Sequence, residues 1–154
     1  TVCVDGDGGF QMNIQELETV RRLGLPIKFF VLNNDGFSSI RTSQAGWFEG
    51  RLVAADATSG LSLPDVRKVA EAYGIATAHI RDRTDLAARV RAVLAMSGPV
   101  VCEVMSIPDE TRAPRVVSSQ RADGSMVSKP LEDLWPFLDR DEFRANMLIP
   151  TQDD

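Results

Sequence analysis

Asp5-Gly6-Asp7-Gly8-Gly9 closes an apolar run at the start of the chain, and Asn33-Asn34-Asp35-Gly36 closes a second one. Residues 9 to 32, twenty-four in all, separate Gly8 from Asn33. A carboxylate and a carboxamide are oxygen donors of the kind that hard divalent cations take. Glycines let a backbone approach an anion with no Cβ in the way. The two segments therefore offer one carboxylate, one carboxamide and several glycines to a metal ion and an anion. In an open α/β sheet, ligands sit beyond the carboxyl ends of the strands, on loops that lead into helices. Both segments occupy such positions.

On residues alone, several readings of Asp5–Gly9 compete. A dinucleotide fingerprint has Gly-x-Gly-x-x-Gly, but Gln11 stands in the third place. A Walker loop needs Gly-Lys-Ser or Gly-Lys-Thr, which is absent. A calcium loop would use Asp5, Asp7 and Glu16 at its first, third and twelfth positions. It fails at its sixth position, where Phe10 replaces the required glycine, and a strand precedes it instead of a helix. A glycine-rich strand-to-helix turn with no ligand is the remaining alternative.

The elements that must position these residues follow from periodicity and punctuation. Thr1–Val4 reads as a strand already under way, as in a piece of a longer polypeptide. Asn13–Leu23 predicts a helix with Ile14, Leu17 and Val20 on one face, an Asn13–Glu16 capping pair, and a stop at Gly24 and Pro26. Ile27–Leu32 is almost continuously apolar, as a strand covered on both faces should be. Asp35–Leu61 shows no clear period, which suits a ligand loop or short helical turns. A helix opened by Ser62 and Asp65 then runs through Val66, Val69, Ala70 and Tyr73 to Gly74. Ala76–Ile80 is a strand, and Thr84 or Asp85 starts a helix with Leu86, Val90, Val93 and Leu94 inward. Gly98-Pro99 ends it before a last strand at Val100–Met105. The order β-α-β-loop-α-β-α-β predicts an α/β fold, a doubly wound and mostly parallel sheet with right-handed crossovers. Residues 1–107 form this domain. Residues 108–154 are expected to be a polar extended segment (Pro108–Pro130) and a short helical tail (Leu131–Met147) packing on it.

Composition excludes some classes. The chain has 154 residues and a net charge of −5, which argues against nucleic acid, whose phosphates need clustered Lys and Arg. No apolar stretch approaches the roughly 20 residues that span a bilayer. Cys3 and Cys102 are too few for a disulfide framework and read as buried, reduced thiols of a cytoplasmic protein.

Gly6-Asp7-Gly8, the twenty-four residues after it, and Asn33-Asn34 resemble the signature of thiamine-diphosphate-dependent enzymes. Gln15–Thr19, Phe30–Asn34, Gly98–Val104 and Pro130–Leu138 are similar to acetolactate synthase-type members. The resemblance covers nearly the whole chain and implies the latter portion of a C-terminal thiamine-diphosphate-binding domain. It implies Mg²⁺ held by the Asp7 carboxylate, the Asn34 side-chain oxygen and the Gly36 carbonyl. Gly6, Asp7, Gly8, Gly9, Asn34, Gly36 and Phe37 would form the cofactor site, with Ser38 adding a backbone contact. The implied activity is decarboxylation of a 2-oxo acid such as pyruvate and transfer of the two-carbon unit to a second 2-oxo acid. A 2-oxo acid decarboxylase, another carboligase, or a non-catalytic interaction domain that keeps the fold are the alternatives. The activating glutamate of such enzymes lies on another domain, so no catalytic residue and no turnover are expected of this chain alone. The remaining domains, a homodimer or homotetramer, and FAD on a middle domain of the full-length protein complete the implication.

Some positions depart from that pattern. Acetolactate synthases usually follow the Asn pair with Gln-Gly-Met-Val and a Trp, where Phe37, Ser39 and Ser43 stand for the Gln, Met and Trp. Substrate identity is therefore open. Trp47 and Phe48 either fill the space that those positions leave or, as expected, pack in the core; Asp35 is expected as a solvated carboxylate, and Glu16, Glu18 and Glu49 as surface or capping groups. Arg41 either meets a substrate carboxylate bidentately or forms a surface salt bridge. His79 is read as structural, and Arg112, Arg115 and Arg121 as solvent-facing or in contact with another domain.

Overall fold

The computed structural model describes residues 1–108 and 110–149. Four strands, β1 (Val2–Gly6), β2 (Lys28–Asn33), β3 (Ala76–Ile80) and β4 (Val100–Met105), form a parallel sheet in the order β1-β2-β4-β3. Five helices accompany them: α1 (Asp7–Gln11), α2 (Glu16–Arg22), α3 (Ser38–Trp47), α4 (Val66–Ala72) and α5 (Leu86–Ala95). Because successive strand residues face opposite ways, the core divides in two. Val31 and Val101 pack with Leu17, Val20, Val66 and Ala70 on one face. Phe30, Val100 and Cys102 pack with Ile80 and Val93 on the other. The path from β1 through β2 to β3 moves one way across the sheet with α2 and α4 on the first face. The step from β3 back to β4 reverses direction, and α5 covers the second face, as right-handed crossovers require. That reversal creates a switch point beside the carboxyl end of β2, the usual ligand crevice of such sheets.

The first helix begins earlier than the apolar period suggests. The chain turns helical at Asp7, directly after β1, and α1 places Phe10 in the core against Phe29, ring centroids 6.1 Å apart and edge-to-face. The expected Asn13–Glu16 capping pair does not form, because residues 12–15 are a turn and α2 starts at Glu16 behind Gln15, with no side-chain cap. The predicted stops hold. At Gly24 the Leu25 N–H donates to the Val20 carbonyl (3.0 Å), and at Gly74 the Ile75 N–H donates to the Ala70 carbonyl (3.0 Å), closing both helices in Schellman fashion. Asp65 caps α4 through the N–H groups of Arg67 and Lys68 (2.9 and 3.1 Å). Within the aperiodic stretch lie α3 and a 3₁₀ turn at Ala57–Ser59. Arg41 is the buried residue of α3, so that helix carries no apolar stripe for periodicity to detect.

Lys28 is buried at the start of β2. Its ammonium donates to the carbonyls of Met96 (2.7 Å) and Gly98, just past α5, where carbonyls lack intrahelical donors. Both cysteines are free; Cys102 is buried and Cys3 only half-buried.

Residues 1–110 form one compact unit, and the chain from Thr111 forms another. In the second unit, the segment expected to be extended contains an antiparallel hairpin of β5 (Ser118–Gln120) and β6 (Met126–Ser128). The tail is helical only over α6 (Arg140–Asn146). Pro136 keeps Trp135 out of the helical region, and Asp139 caps α6 by accepting from the N–H of Asp141 (2.9 Å). Arg140 donates to both carboxylate oxygens of Asp133 (3.0 and 2.9 Å) and stacks on Phe143. Arg115 stacks on Trp135. Residues 150–154 of the expected tail region lie outside the described residues. Among the described residues, no helix is long and apolar enough to cross a membrane.

Candidate metal and diphosphate site

Asp7 opens α1 and is 3% exposed. One carboxyl oxygen accepts the Gly8 N–H (2.8 Å) and the other the Gly36 N–H (3.1 Å). The second bond crosses from the β1–α1 turn to the loop after β2, so the two sequence segments meet in space. In that loop, the Asn33 side-chain oxygen accepts the Asp35 N–H (2.9 Å) and supports Asp35 at φ 59°. Asp35 itself is exposed, as expected of a solvated carboxylate. Gly36 has φ 145° and bridges to Asp56, and a Cβ there would overlap the Ala55 carbonyl. Only glycine fits.

The Asn34 side-chain oxygen is buried and has no hydrogen-bond partner among the described residues. Leaving such a group unpaired costs about 1–3 kcal/mol, and buried polar atoms are nearly always satisfied. A cation beside it would supply the missing partner. The oxygen donors that these two loops carry are a carboxyl, a carboxamide and the Gly36 carbonyl, which accepts from the Ser38 N–H (3.2 Å). Mg²⁺ takes such oxygens. Among the described residues, no three His, Cys, Asp or Glu side chains cluster as a metal site of their own. Any cation here must draw on amide and carbonyl oxygens and on the ligand it carries. The residues present fit that group.

The glycines separate into two kinds. A Cβ on Gly8 would overlap the Phe37 ring, and one on Gly9 would overlap the Asp5 carboxylate. Packing within the chain accounts for both. At Gly6 a Cβ would meet no atom within 4 Å, so nothing in the described chain requires glycine there, which leaves room for an approaching ligand. The backbone contacts expected of Phe37 and Ser38 are already used. Phe37 N–H donates to the Ala55 carbonyl (2.8 Å) and Ser38 N–H to the Gly36 carbonyl (3.2 Å).

Arg41 forms a salt bridge, but a buried one and not one at the surface. It is buried, its guanidinium donates to the carbonyls of Pro108 and Asn34, and it lies 3.9 Å from the Asp56 carboxylate. It ties α3 to the Asn34 backbone. The hydroxyls of Thr58 and Ser59 hold the Asp56 carboxyl below the usual carboxylate range, and Arg41 adds to this. Trp47 and Phe48 do not enter the core; they are 47% and 61% exposed. His79 lies on β3, with Nε2 3.6 Å from Glu103. Burial holds its imidazole below its usual range despite that carboxylate, so the contact is not an ion pair at neutral pH. Ala55, Asp56 and Glu103 join these loops through the fold, and no spacing in the chain singled them out.

The fold is a doubly wound α/β domain in which the turn after β1 meets the loop after β2 at the carboxyl end of the sheet. The chain belongs to the thiamine pyrophosphate enzyme family, matching its C-terminal TPP-binding domain over residues 1–104. It is 32% identical over 114 residues to an acetolactate synthase of Arthrospira platensis, covering 74% of this chain and 19% of that protein. It is 36% identical over 103 residues to the acetolactate synthase isozyme 2 large subunit of Escherichia coli, covering 67% of this chain and 18% of that protein. With the Haemophilus influenzae acetolactate synthase large subunit it shares 30% identity over 133 residues, covering 86% of this chain and 23% of that protein. The chain thus spans about a fifth of the length of these relatives.

Proposed function

We propose that this chain is the latter part of the diphosphate-binding domain of a carboligase of acetolactate synthase type. In this reading it anchors thiamine diphosphate through Mg²⁺ held by Asp7, Asn34 and the Gly36 carbonyl. The unpartnered, buried Asn34 oxygen carries the reading, because it fits a ligand better than it fits the empty protein. When bound, thiamine diphosphate supplies the electron sink for decarboxylating a 2-oxo acid. The chain's own contribution is binding and orientation. Asp7 and Asn34 furnish charge and oxygen donors, and Gly6 leaves open space for the diphosphate. The Asp7–Gly36 bond holds the two loops together, and Arg41 ties the Asn34 backbone to α3.

The rest of the active site is proposed to come from elsewhere. The glutamate that activates the cofactor lies on another domain, contributed in a dimer or tetramer, so this chain alone has no turnover. Val2 and Val4 on edge strand β1 are 54% and 64% exposed, and parallel strands are normally covered on both faces. Their exposure supports further chain packing there. The serines at 39 and 43 and Phe37 favour a second reading, a 2-oxo acid decarboxylase with the same cofactor. Products formed from pyruvate by the full-length protein decide between them: acetolactate supports the carboligase, acetaldehyde the decarboxylase. Neither product, with no Mg²⁺-dependent cofactor binding, contradicts both.

A further inference from the structure

Strand β4 is apolar except for Glu103, which is buried in the sheet between Val31 of β2 and His79 of β3. Its Oε1 accepts the Asn33 side-chain N–H (2.8 Å), and its Oε2 accepts the Arg67 Nε–H (2.9 Å) from α4. A buried ion pair is a weak source of stability, since desolvation offsets its attraction. We propose that Glu103 is a positioning residue for the cation loop, acting through Asn33 to hold Asn34 and Gly36 in place. This deepens the Mg²⁺–thiamine diphosphate reading and rests on it.

The mechanism lies in the two ends of a carboxamide. Asn33 can present either oxygen or nitrogen in a given direction. A carboxylate only accepts, so Glu103 forces the Asn33 nitrogen toward itself and the oxygen toward the Asp35 N–H. That bond holds Asp35 in the left-handed region, where a non-glycine residue needs local support. The next residue, Gly36, then donates to Asp7. The Asn33 carbonyl is fixed as well, by the Ser106 N–H (2.8 Å) and hydroxyl (3.2 Å). Asn34 sits inside this chain of bonds, and its own carbonyl is held by Arg41. With Glu103 removed, the Asn33 amide is free to turn over, presenting a donor to the Asp35 N–H, and the loop loses its fixed shape.

The test is the Mg²⁺ concentration that half-saturates thiamine diphosphate binding to the full-length protein, measured by titration calorimetry. Glu103→Ala should raise it about 10- to 100-fold, the usual effect of losing a partner behind the ligands. Asn33→Asp should also raise it, because two carboxylates then face each other. Adding Glu103→Gln to Asn33→Asp should restore it, since the new carboxamide donates to the new carboxylate and still accepts from Arg67. Wild-type half-saturation in Glu103→Ala, or a double variant no better than Asn33→Asp, overturns the proposal. If Glu103→Ala does not fold, the exchanged pair decides. Wild-type protein without any Mg²⁺-dependent binding overturns the cofactor reading itself, and the proposal with it.

Discussion

Asn34 and Asp7 differ in what the protein needs from them. The Asn34 side-chain oxygen has no hydrogen-bond partner among the described residues, so Asn34→Ala should leave the thermal midpoint nearly unchanged while weakening Mg²⁺-dependent cofactor binding at least about tenfold. Asp7→Ala removes the acceptor of the buried Gly36 N–H and should cost about 1–3 kcal/mol in a urea titration, besides abolishing binding. The glycines give a parallel contrast. Gly6→Ala should fold normally and bind cofactor poorly, whereas Gly8→Ala should be destabilised through its clash with Phe37. Burial pushes the Cys102 thiol from 9.0 up to about 11. The folded state therefore keeps a proton that the unfolded chain loses first, and this contribution to stability falls as pH rises from 9 toward 11. Alkylation at pH 8 should spare Cys102 until the protein unfolds, as mass spectrometry would show. The meeting of the Asp7 and Gly36 segments was legible because residue identity and spacing carried it. Arg41 was not: a basic residue in a polar stretch looks solvated until the fold closes carbonyls around it.

The elements were legible where the chain repeats a pattern. All four strands of the sheet and the helices at α4 and α5 follow from apolar runs and glycine stops. α1 escaped because five residues, two of them glycine, hold no period, and α3 escaped because its inward residue is an arginine. In the tail, aromatic residues suggested a helix over a stretch that Pro136 and the Arg115–Trp135 pairing hold in another form. Lys28 is a further case of a polar residue decided by tertiary contact. Lys28→Met should lower stability by about 1.5–3 kcal/mol, because charged hydrogen bonds to two carbonyls are lost, and the urea midpoint would report it.

At the scale of the molecule, the chain brings Asp7 and Gly36 together beyond the carboxyl ends of β1 and β2 and covers about a fifth of its relatives' length; the cation clamp there is the proposal. The family follows from the matched residues, and the reaction is proposed for the whole enzyme. The most direct measurement of the central claim is calorimetric titration of thiamine diphosphate into the full-length protein, with and without Mg²⁺, for wild type and Asn34→Ala. The clamp predicts binding by wild type only with Mg²⁺, and a strong loss in a folded Asn34→Ala. Binding that ignores Mg²⁺, or an Asn34→Ala protein that binds like wild type, would contradict it.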